Sequence, residues 1–508
     1  MNSAIKDFSV NYKTAALIKA APILKENGGT DLYTALLVMK IFESVNPELQ
    51  SELGDCYYQG NGVVQDIDKS LELFQKAAAK GSLRAQYDLG WFYYDRSEYL
   101  RAVEYFSSCI SRAAELDEFK LSRCHACIGD SYLKISEPKF STAVEHLAIA
   151  ADKYRNAFAC RRLGMIYSEA GKQHFDAVKA IKYYELGISY GDEFAAYILA
   201  SAYVKGNSEL GIGIDCRKAE KILLKFTESD NTELLFISGL LYMKDDEENG
   251  FESDFDKSKE YFERLFQKDK DPSVAANLGY VYYRLNEYKN AEKMLLLAES
   301  QGNYTYLDFL GRMHKDGLLG EKNIGKALVY YKKAYDERDD LNNIFTLGEY
   351  AELLNESGYY QDAYIVSDKG LAQYKDEHFL FIRASLVING HVADGISCAE
   401  AAEDLEACTR FETHKKESYM MLGNYYRTVR EFRKSENNYI QAFSMGAVDA
   451  GYYLGKLYEK GGGTITADAN RAFEWYSKAA NAGSVLGGNE ASCFKKGLFG
   501  GYRRVRSL

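Results

Sequence analysis

Residues 89–93 read Leu89-Gly90-Trp91-Phe92-Tyr93. The same Leu-Gly-x-x-Tyr frame returns at Leu53-Gly54…Tyr57, Leu163-Gly164…Tyr167, Leu278-Gly279…Tyr282, Leu422-Gly423…Tyr426 and Leu454-Gly455…Tyr458. Looser copies centred on Gly129, Ala200, Gly239, Gly311, Gly348 and Ala384 bring the total to twelve, with gaps of 32 to 40 residues. A fixed period in this range specifies a stack of small units rather than several independent globular cores. The frame itself is helical: Leu89, Gly90 and Tyr93 share one stripe. Glycine inside a helix costs about 1 kcal/mol, and what it offers in return is close approach of a second backbone.

About twenty residues after each frame comes a second pattern, Ala-x-x-Tyr/Phe-Tyr/Phe-x-x-Ala-Ala, clearest over 69–79, 326–334 and 471–480. Ala77 and Ala78 are nearly as small as the glycine they would face. Gly81, Gly191, Gly302, Gly446 and Gly483 follow these second helices, where a left-handed C-terminal cap favours a residue without Cβ. Only four prolines occur, at 22, 47, 138 and 272, as suits a chain that is helical almost throughout.

This two-helix unit resembles the Sel-one-like repeat, a relative of the tetratricopeptide repeat. The likeness is best over 53–90, 302–336 and 446–483, with turns such as Tyr58-Gln59-Gly60-Asn61-Gly62-Val63 and Tyr458-Glu459-Lys460-Gly461-Gly462-Gly463. Residues 277–298, with the short turn Arg284-Leu285-Asn286-Glu287-Tyr288, are similar to generic tetratricopeptide units. The resemblance spans about residues 40–500 and implies an all-α, right-handed α-solenoid superhelix of about 12 helix-turn-helix repeats. The expected organisation is degenerate capping helices over 1–45, repeats over 46–374, an irregular repeat with a possible bend over 375–415, repeats over 416–483, and a truncated helix with a basic tail over 484–508. In 375–415 the period is weakest, since Ala384 replaces glycine and 398–402 matches the second-helix pattern poorly. Residues 245–256 (Asp-Asp-Glu-Glu-Asn-Gly-Phe-Glu-Ser-Asp-Phe-Asp) form an acidic insertion at a turn, without the spacing of a calcium-binding loop.

The bulk composition narrows the function classes. With 46% hydrophobic and 27% charged residues the chain can fold on its own. A net charge of −11 opposes general binding to nucleic acid or anionic membrane. Nine scattered cysteines fit a reducing compartment, so the cytoplasm is expected. Ala15-Ala16-Leu17-Ile18 is interrupted by Lys19 and Pro22, so no signal peptide is expected. No run of 18 apolar residues occurs, so membrane insertion is not expected.

The resemblance implies that one face of each first helix lines a concave groove, at positions −3, +1 and +4 from the glycine. The candidate contact residues there are Tyr58, Tyr87, Trp91, Tyr94, Tyr280, Tyr283, Arg312, Arg427 and Tyr452. Tyrosine and tryptophan bury large area with few rotors and keep a polar handle, which suits a partner surface. Most of the 42 tyrosines are repeat framework, and Tyr57, Tyr93 and Tyr282 are assigned to the core. Arg161, Lys315, Lys456, Asp55, Asp130, Glu349 and Glu352 share this register and give it mixed charge. Cys124-His125-Ala126-Cys127 offers half a zinc site, but no second pair follows, and buried structural cysteines are the expected reading. No catalytic or nucleotide-binding motif is present, so neither enzyme activity, nor a cofactor, nor a metal is expected.

The resemblance therefore implies a non-catalytic protein–protein interaction scaffold or adaptor binding a protein or peptide partner in its groove. A narrower bacterial version is a dedicated chaperone or immunity-type protein that neutralises a secreted toxin or effector. The alternative from another class is nucleic-acid binding through the basic segment Lys495-Lys496-Gly497-Leu498-Phe499-Gly500-Gly501-Tyr502-Arg503-Arg504-Val505-Arg506.

Overall fold

A computed structural model describes residues 46–60, 64–169, 171–337, 344–497 and 500–505. The helices expected over 1–45 lie outside the described residues. The described chain is an all-α solenoid of helix pairs, here called helices A and B, and divides into two compact units between Lys268 and Asp269. In the first unit the pairs are Pro47–Gln59 with Ile67–Ala79, Leu83–Asp95 with Tyr99–Ser111, Glu118–Lys134 with Phe140–Ala148, Ala157–Ser168 with Ala177–Ser189, Glu193–Lys205 with Cys216–Leu223, and Thr232–Leu241 with Phe255–Lys268 (repeats 1–6). In the second they are Pro272–Arg284 with Tyr288–Ser300, Leu307–Asp316 with Ile324–Glu337, Ile344–Glu356 with Tyr360–Tyr374, Glu377–Ile388 with Cys398–Cys408, Lys415–Thr428 with Phe432–Ser444, and Val448–Lys460 with Ala469–Asn481 (repeats 7–12). A short helix Val485–Ala491 follows, then strands β1 (Phe494–Lys496) and β2 (Tyr502–Arg504), paired antiparallel with Lys495 opposite Arg503.

The sequence punctuates these helices. Ser82, Asn156 and Asp192 sit before A helices, and Ser484 before the short final helix; each accepts a backbone N–H bond from the first turn. Asp66, Asp176, Asp215 and Asp468 do so for B helices. After the B helices, Gly81, Gly191, Gly302, Gly446 and Gly483 take φ between +82° and +100°. The next residue then donates back to the carbonyl five before it, as Ser82 does to Ala77 at 3.1 Å.

In most repeats one neighbour requires the framework glycine. A Cβ on Gly54 would stand 2.6 Å from the Phe74 ring, on Gly164 2.6 Å from Tyr184, on Gly239 2.7 Å from Phe262, and on Gly423 2.5 Å from Tyr439. Along the chain the partner lies 16 residues after Gly90, Gly279 and Gly423 (Phe106, Leu295, Tyr439) and 18 after Gly129 (Leu147). It lies 20 after Gly54, Gly164 and Gly311 (Phe74, Tyr184, Tyr331), 21 after Gly455 (Tyr476) and 23 after Gly239 (Phe262). Despite that range, the partner is the eighth residue of its helix B in all nine of these repeats, as Phe106 is in Tyr99–Ser111 and Phe262 in Phe255–Lys268.

Repeat 10, where Ala384 stands in the glycine position, keeps its helix pair with the close approach moved elsewhere. Phe379 on its helix A packs on Gly370 of the preceding helix B, where a Cβ would meet the ring at 2.7 Å. Its helix B is fixed at the start by a capping box between Ser397 and Glu400. Of the tyrosines assigned to the core, Tyr93 is buried, while Tyr57 and Tyr282 are half-buried.

Gly164→Ala is expected to lower stability by about 1–3 kcal/mol through overpacking. The loss should shrink in a Tyr184→Ala background, because the clash is then gone. Urea unfolding followed by circular dichroism checks both; equal losses in the two backgrounds would show that the ring is not the cause.

Candidate partner-binding face

With the framework glycine of helix A as zero, positions −3, +1 and +4 are occupied largely by the following repeat. Tyr58 donates its hydroxyl to Asp95 at 3.1 Å and tilts against Phe92 with ring centroids 5.9 Å apart. Tyr87, Trp91 and Tyr94 do come together, around Phe106: Trp91 is 5.7 Å from Phe106, 6.3 Å from Tyr87 and 5.6 Å from Tyr94. All three are half-buried. Burial pushes the Tyr87 hydroxyl pKa up to about 12. Tyr94 donates its hydroxyl to Asp130, the +1 residue of repeat 3. Asp130 is 1% exposed, with Lys134 Nζ 2.8 Å from Oδ2 and Arg162 Nε, one repeat further, 2.6 Å from Oδ1. Burial and the hydrogen bond to Asp130 both raise the Tyr94 hydroxyl.

In the second unit Tyr280, Tyr283 and Arg312 also meet. Tyr280 stacks on Tyr306 at 4.8 Å, both Tyr280 and Tyr283 lie edge-on to Phe309 at 5.0 and 4.7 Å, and Arg312 covers Phe309 at 5.0 Å. Arg312 and Lys315 both bind Glu349 of the next repeat, at 2.8 and 3.0 Å. Burial works against the charge of Glu349, but the hydrogen bond from Lys315 and the charge of Arg312 outweigh it and hold the carboxyl below its ordinary value. Arg427 is exposed and donates to the Tyr439 hydroxyl at 3.3 Å. Tyr452 lies beside Tyr453 at 5.1 Å and beneath Lys456 at 5.5 Å. The other charged groove candidates are also bridged: Arg84 to Asp55 at 2.8 Å, Arg161 to Asp192 at 3.7 Å, Lys456 to Glu490 at 2.5 Å.

A second aromatic–arginine row in the first unit lies one turn earlier. At −6 stand Arg123 in repeat 3, Phe158 in repeat 4 and Phe194 in repeat 5, followed at −3 by Arg161 and Tyr197. Arg161 lies over both Phe158 and Phe194, at 5.2 and 5.1 Å. Arg123 is layered between Trp91 at 4.2 Å and Phe119 at 5.5 Å, and Phe119 is 69% exposed. The sequence carries a signal for these residues, since −6 is the same helical face as −3. Reading it requires knowing that helix A begins early enough to carry that extra turn.

Three other segments pack against or within the repeats. The acidic insertion folds back on repeat 5: Asp246 accepts the Cys216 backbone N–H at 2.9 Å, and Arg217 donates to the Gly250 carbonyl at 2.5 Å. The described part of the basic tail is the hairpin, which covers the last repeat. Tyr502 stacks on Phe473 at 3.8 Å, and Arg504 pairs with Glu490 at 2.7 Å and with Glu459. Cys124, His125 and Cys127 are buried in helix A of repeat 3.

His125 is one of two imidazole pairs. Its Nδ1 is 3.1 Å from His146 Nδ1, and in the second unit His378 Nδ1 is 2.9 Å from His414 Nε2. Burial, then His146 and Lys153, push His125 down to about 4; burial lowers His146 and, with His378, lowers His414. The hydrogen bond from His378 holds Glu352 below its ordinary value.

Comparison with known proteins finds the Sel1 repeat family at residues 47–82, 83–108, 157–192, 307–339 and 448–484. A putative sel1-like repeat-containing protein of Acanthamoeba polyphaga mimivirus is 33% identical over 120 residues, 24% of this chain and 21% of that protein. An F-box protein of Arabidopsis thaliana is 31% identical over 152 residues, 29% of this chain and 40% of that protein. The chain thus spans well under half the length of the curated relatives it matches. Among solved structures, a protective antigen present in uropathogenic Escherichia coli strains, which displays an SLR fold, superposes with a TM-score of 0.57 at 19% identity, covering 90% of this chain and 89% of its own. Among the described residues no helix is long and apolar enough to cross a membrane.

Asp130→Ala leaves the half-buried Arg162 and Tyr94 without their carboxylate and should cost about 3 kcal/mol, measured by denaturant unfolding. A loss below about 1 kcal/mol would mean the cluster carries little stability. His125, His146 and His414 are harder to protonate in the fold than in the unfolded chain, so their contribution is complete above about pH 6.5 and declines as the pH falls, for His125 toward about 4. The unfolding midpoint should drop across that window, and His125→Phe should reduce the slope.

Proposed function

Because this chain belongs to the Sel1-like repeat proteins, we propose that it is a non-catalytic protein–protein interaction scaffold that receives a protein or peptide partner on the A-helix face of its repeats. The observation that carries this reading is the row Phe119, Arg123, Phe158, Arg161 and Phe194 in repeats 3–5. Phe119 and Phe194 are 69% and 39% exposed, and each lies beside an arginine. Aromatic rings beside arginine are the side chains that dominate binding hot spots. They lie on rigid helices, so little order is lost on binding. Trp91, clustered with Tyr87 and Tyr94, underlies Arg123 of that row, and Tyr280, Tyr283 and Arg312 gather around Phe309 as a second aromatic–arginine cluster in the second unit. Arg427 and Tyr452 lie on the same register in repeats 11 and 12. An adaptor role in the cytoplasm fits the free cysteines, all buried among the described residues except Cys398.

The test is site-specific photocrosslinking in the native host. Benzoylphenylalanine at positions 119 and 194 should yield adducts with the same protein, while positions 178 and 329, exposed on B helices, should not. No protein adduct from 119 and 194, or equal adducts from all four positions, would defeat the reading. Phe119→Ser should abolish the adduct at 194 while shifting the melting midpoint little, as expected for an exposed side chain.

A further inference from the structure

We infer that Arg123 is an anchor for a carboxylate of the partner, and that the partner segment presents an acidic side chain next to an apolar one. This rests on the A-helix face being the partner surface and adds the chemistry of what binds there.

Charge pairing sets Arg123 apart. The other cations on the A helices of repeats 2–4 each have a carboxylate within 4 Å: Arg84 has Asp55, Lys120 has Asp117, Lys134 and Arg162 share Asp130, and Arg161 has Asp192. Arg123 has none among the described residues; its contacts are two ring faces, Trp91 and Phe119. Its charge is nevertheless felt locally, working to lower Tyr87 and Cys127 against the larger effect of burial, and Cys124 against the larger effects of its hydrogen bond with Cys109 and of burial. A guanidinium lying over ring faces keeps N–H edges available beside the rings, the geometry that accepts a carboxylate bidentately. Stacking also restricts the rotamer, so little side-chain entropy is lost when the anion arrives.

The second half of the recognition is apolar. Phe119 lies one turn before Arg123 on the same face and is 69% exposed. A ligand carboxylate on Arg123 therefore places its neighbouring side chain on that ring. The chain as a whole carries −11, so a uniformly acidic partner gains nothing from the long-range field. The complementarity is local, and it favours a short acidic–apolar motif over a polyanion.

Trp91 provides the readout, because the chain has two tryptophans and Trp475→Phe leaves Trp91 as the single reporter. The probes are the peptides acetyl-Glu-Leu-Asp-Phe-Glu-Leu-amide and acetyl-Lys-Leu-Lys-Phe-Lys-Leu-amide, titrated into the full chain. The acidic peptide should give a saturable change in Trp91 emission and the lysine peptide none. Arg123→Gln and Phe119→Ser should each weaken the acidic peptide at least tenfold. Arg123→Lys, which keeps the charge and loses the planar stack, should weaken it several-fold with an unchanged melting midpoint, and it keeps the test valid if the glutamine variant is poorly folded. Absence of acidic-peptide binding, equal binding of the lysine peptide, or undiminished affinity in both Arg123 variants would overturn the proposal. Crosslinks at 119 and 194 persisting under any of those results would leave the partner face standing and remove only the acidic motif; their absence would remove both.

Discussion

The contact on which the stack depends is a missing methyl group. In most repeats a ring or leucine from helix B occupies the space where a Cβ on helix A would stand, within 3.0 Å of that position at Gly54, Gly90, Gly129, Gly164, Gly239, Gly279, Gly311, Gly423 and Gly455. Interiors are close-packed, so this space cannot be shared. Once helix B is seated on the glycine, the orientation of helix A is set, and with it the side chains turned toward the next repeat. The polar links between repeats then recur about one period apart: Tyr58 to Asp95, Tyr94 to Asp130, Arg312 to Glu349, Thr346 to Asp308 and Ser484 to Asp449.

The period in the sequence is this contact seen from outside, which is why the helix pairs were legible. Glycine in a helix is costly, so its return beside leucine at a fixed spacing marks a position where a side chain has no room. The capping glycines were legible for the same reason, since a left-handed φ leaves little choice of residue. Ala384 was harder. The close approach in that repeat runs from Phe379 to Gly370, on the other side of the interface, and a pattern sought only on helix A does not register the exchange.

The candidate site was only partly legible. The register brought out Tyr87, Trp91 and Tyr94, and separately Tyr280, Tyr283 and Arg312, and these do form clusters. What one repeat alone does not disclose is whether a side chain ends in solvent or on the repeat that follows. Tyr94 ends on Asp130, and Asp130 is itself one of the groove positions, so two candidates consume each other. Arg504 shows the same limitation in the tail, where a basic residue that looks available binds Glu459 and Glu490. The helical face of Arg123 was legible, but what sets Arg123 and Phe119 apart is, among the described residues, the lack of a carboxylate for the one and of cover for the other, and a lack has no motif.

The partner of the glycine stands eighth in helix B whether the chain has travelled 16 residues from the glycine or 23. Distance along the chain is therefore not what the contact measures; the start of helix B is the datum. Residues added ahead of that start lengthen a surface connection and leave the ring where it was, at an entropic cost that grows only slowly with length. A single residue added after it turns the ring by about 100° and carries it off the glycine. The two sides of one capping residue thus stand under opposite rules, one open to insertion and the other closed to it. Residues 245–254 of the acidic insertion in repeat 6 lie ahead of Phe255, where helix B starts, on the permissive side, and so Phe262 keeps its seat on Gly239.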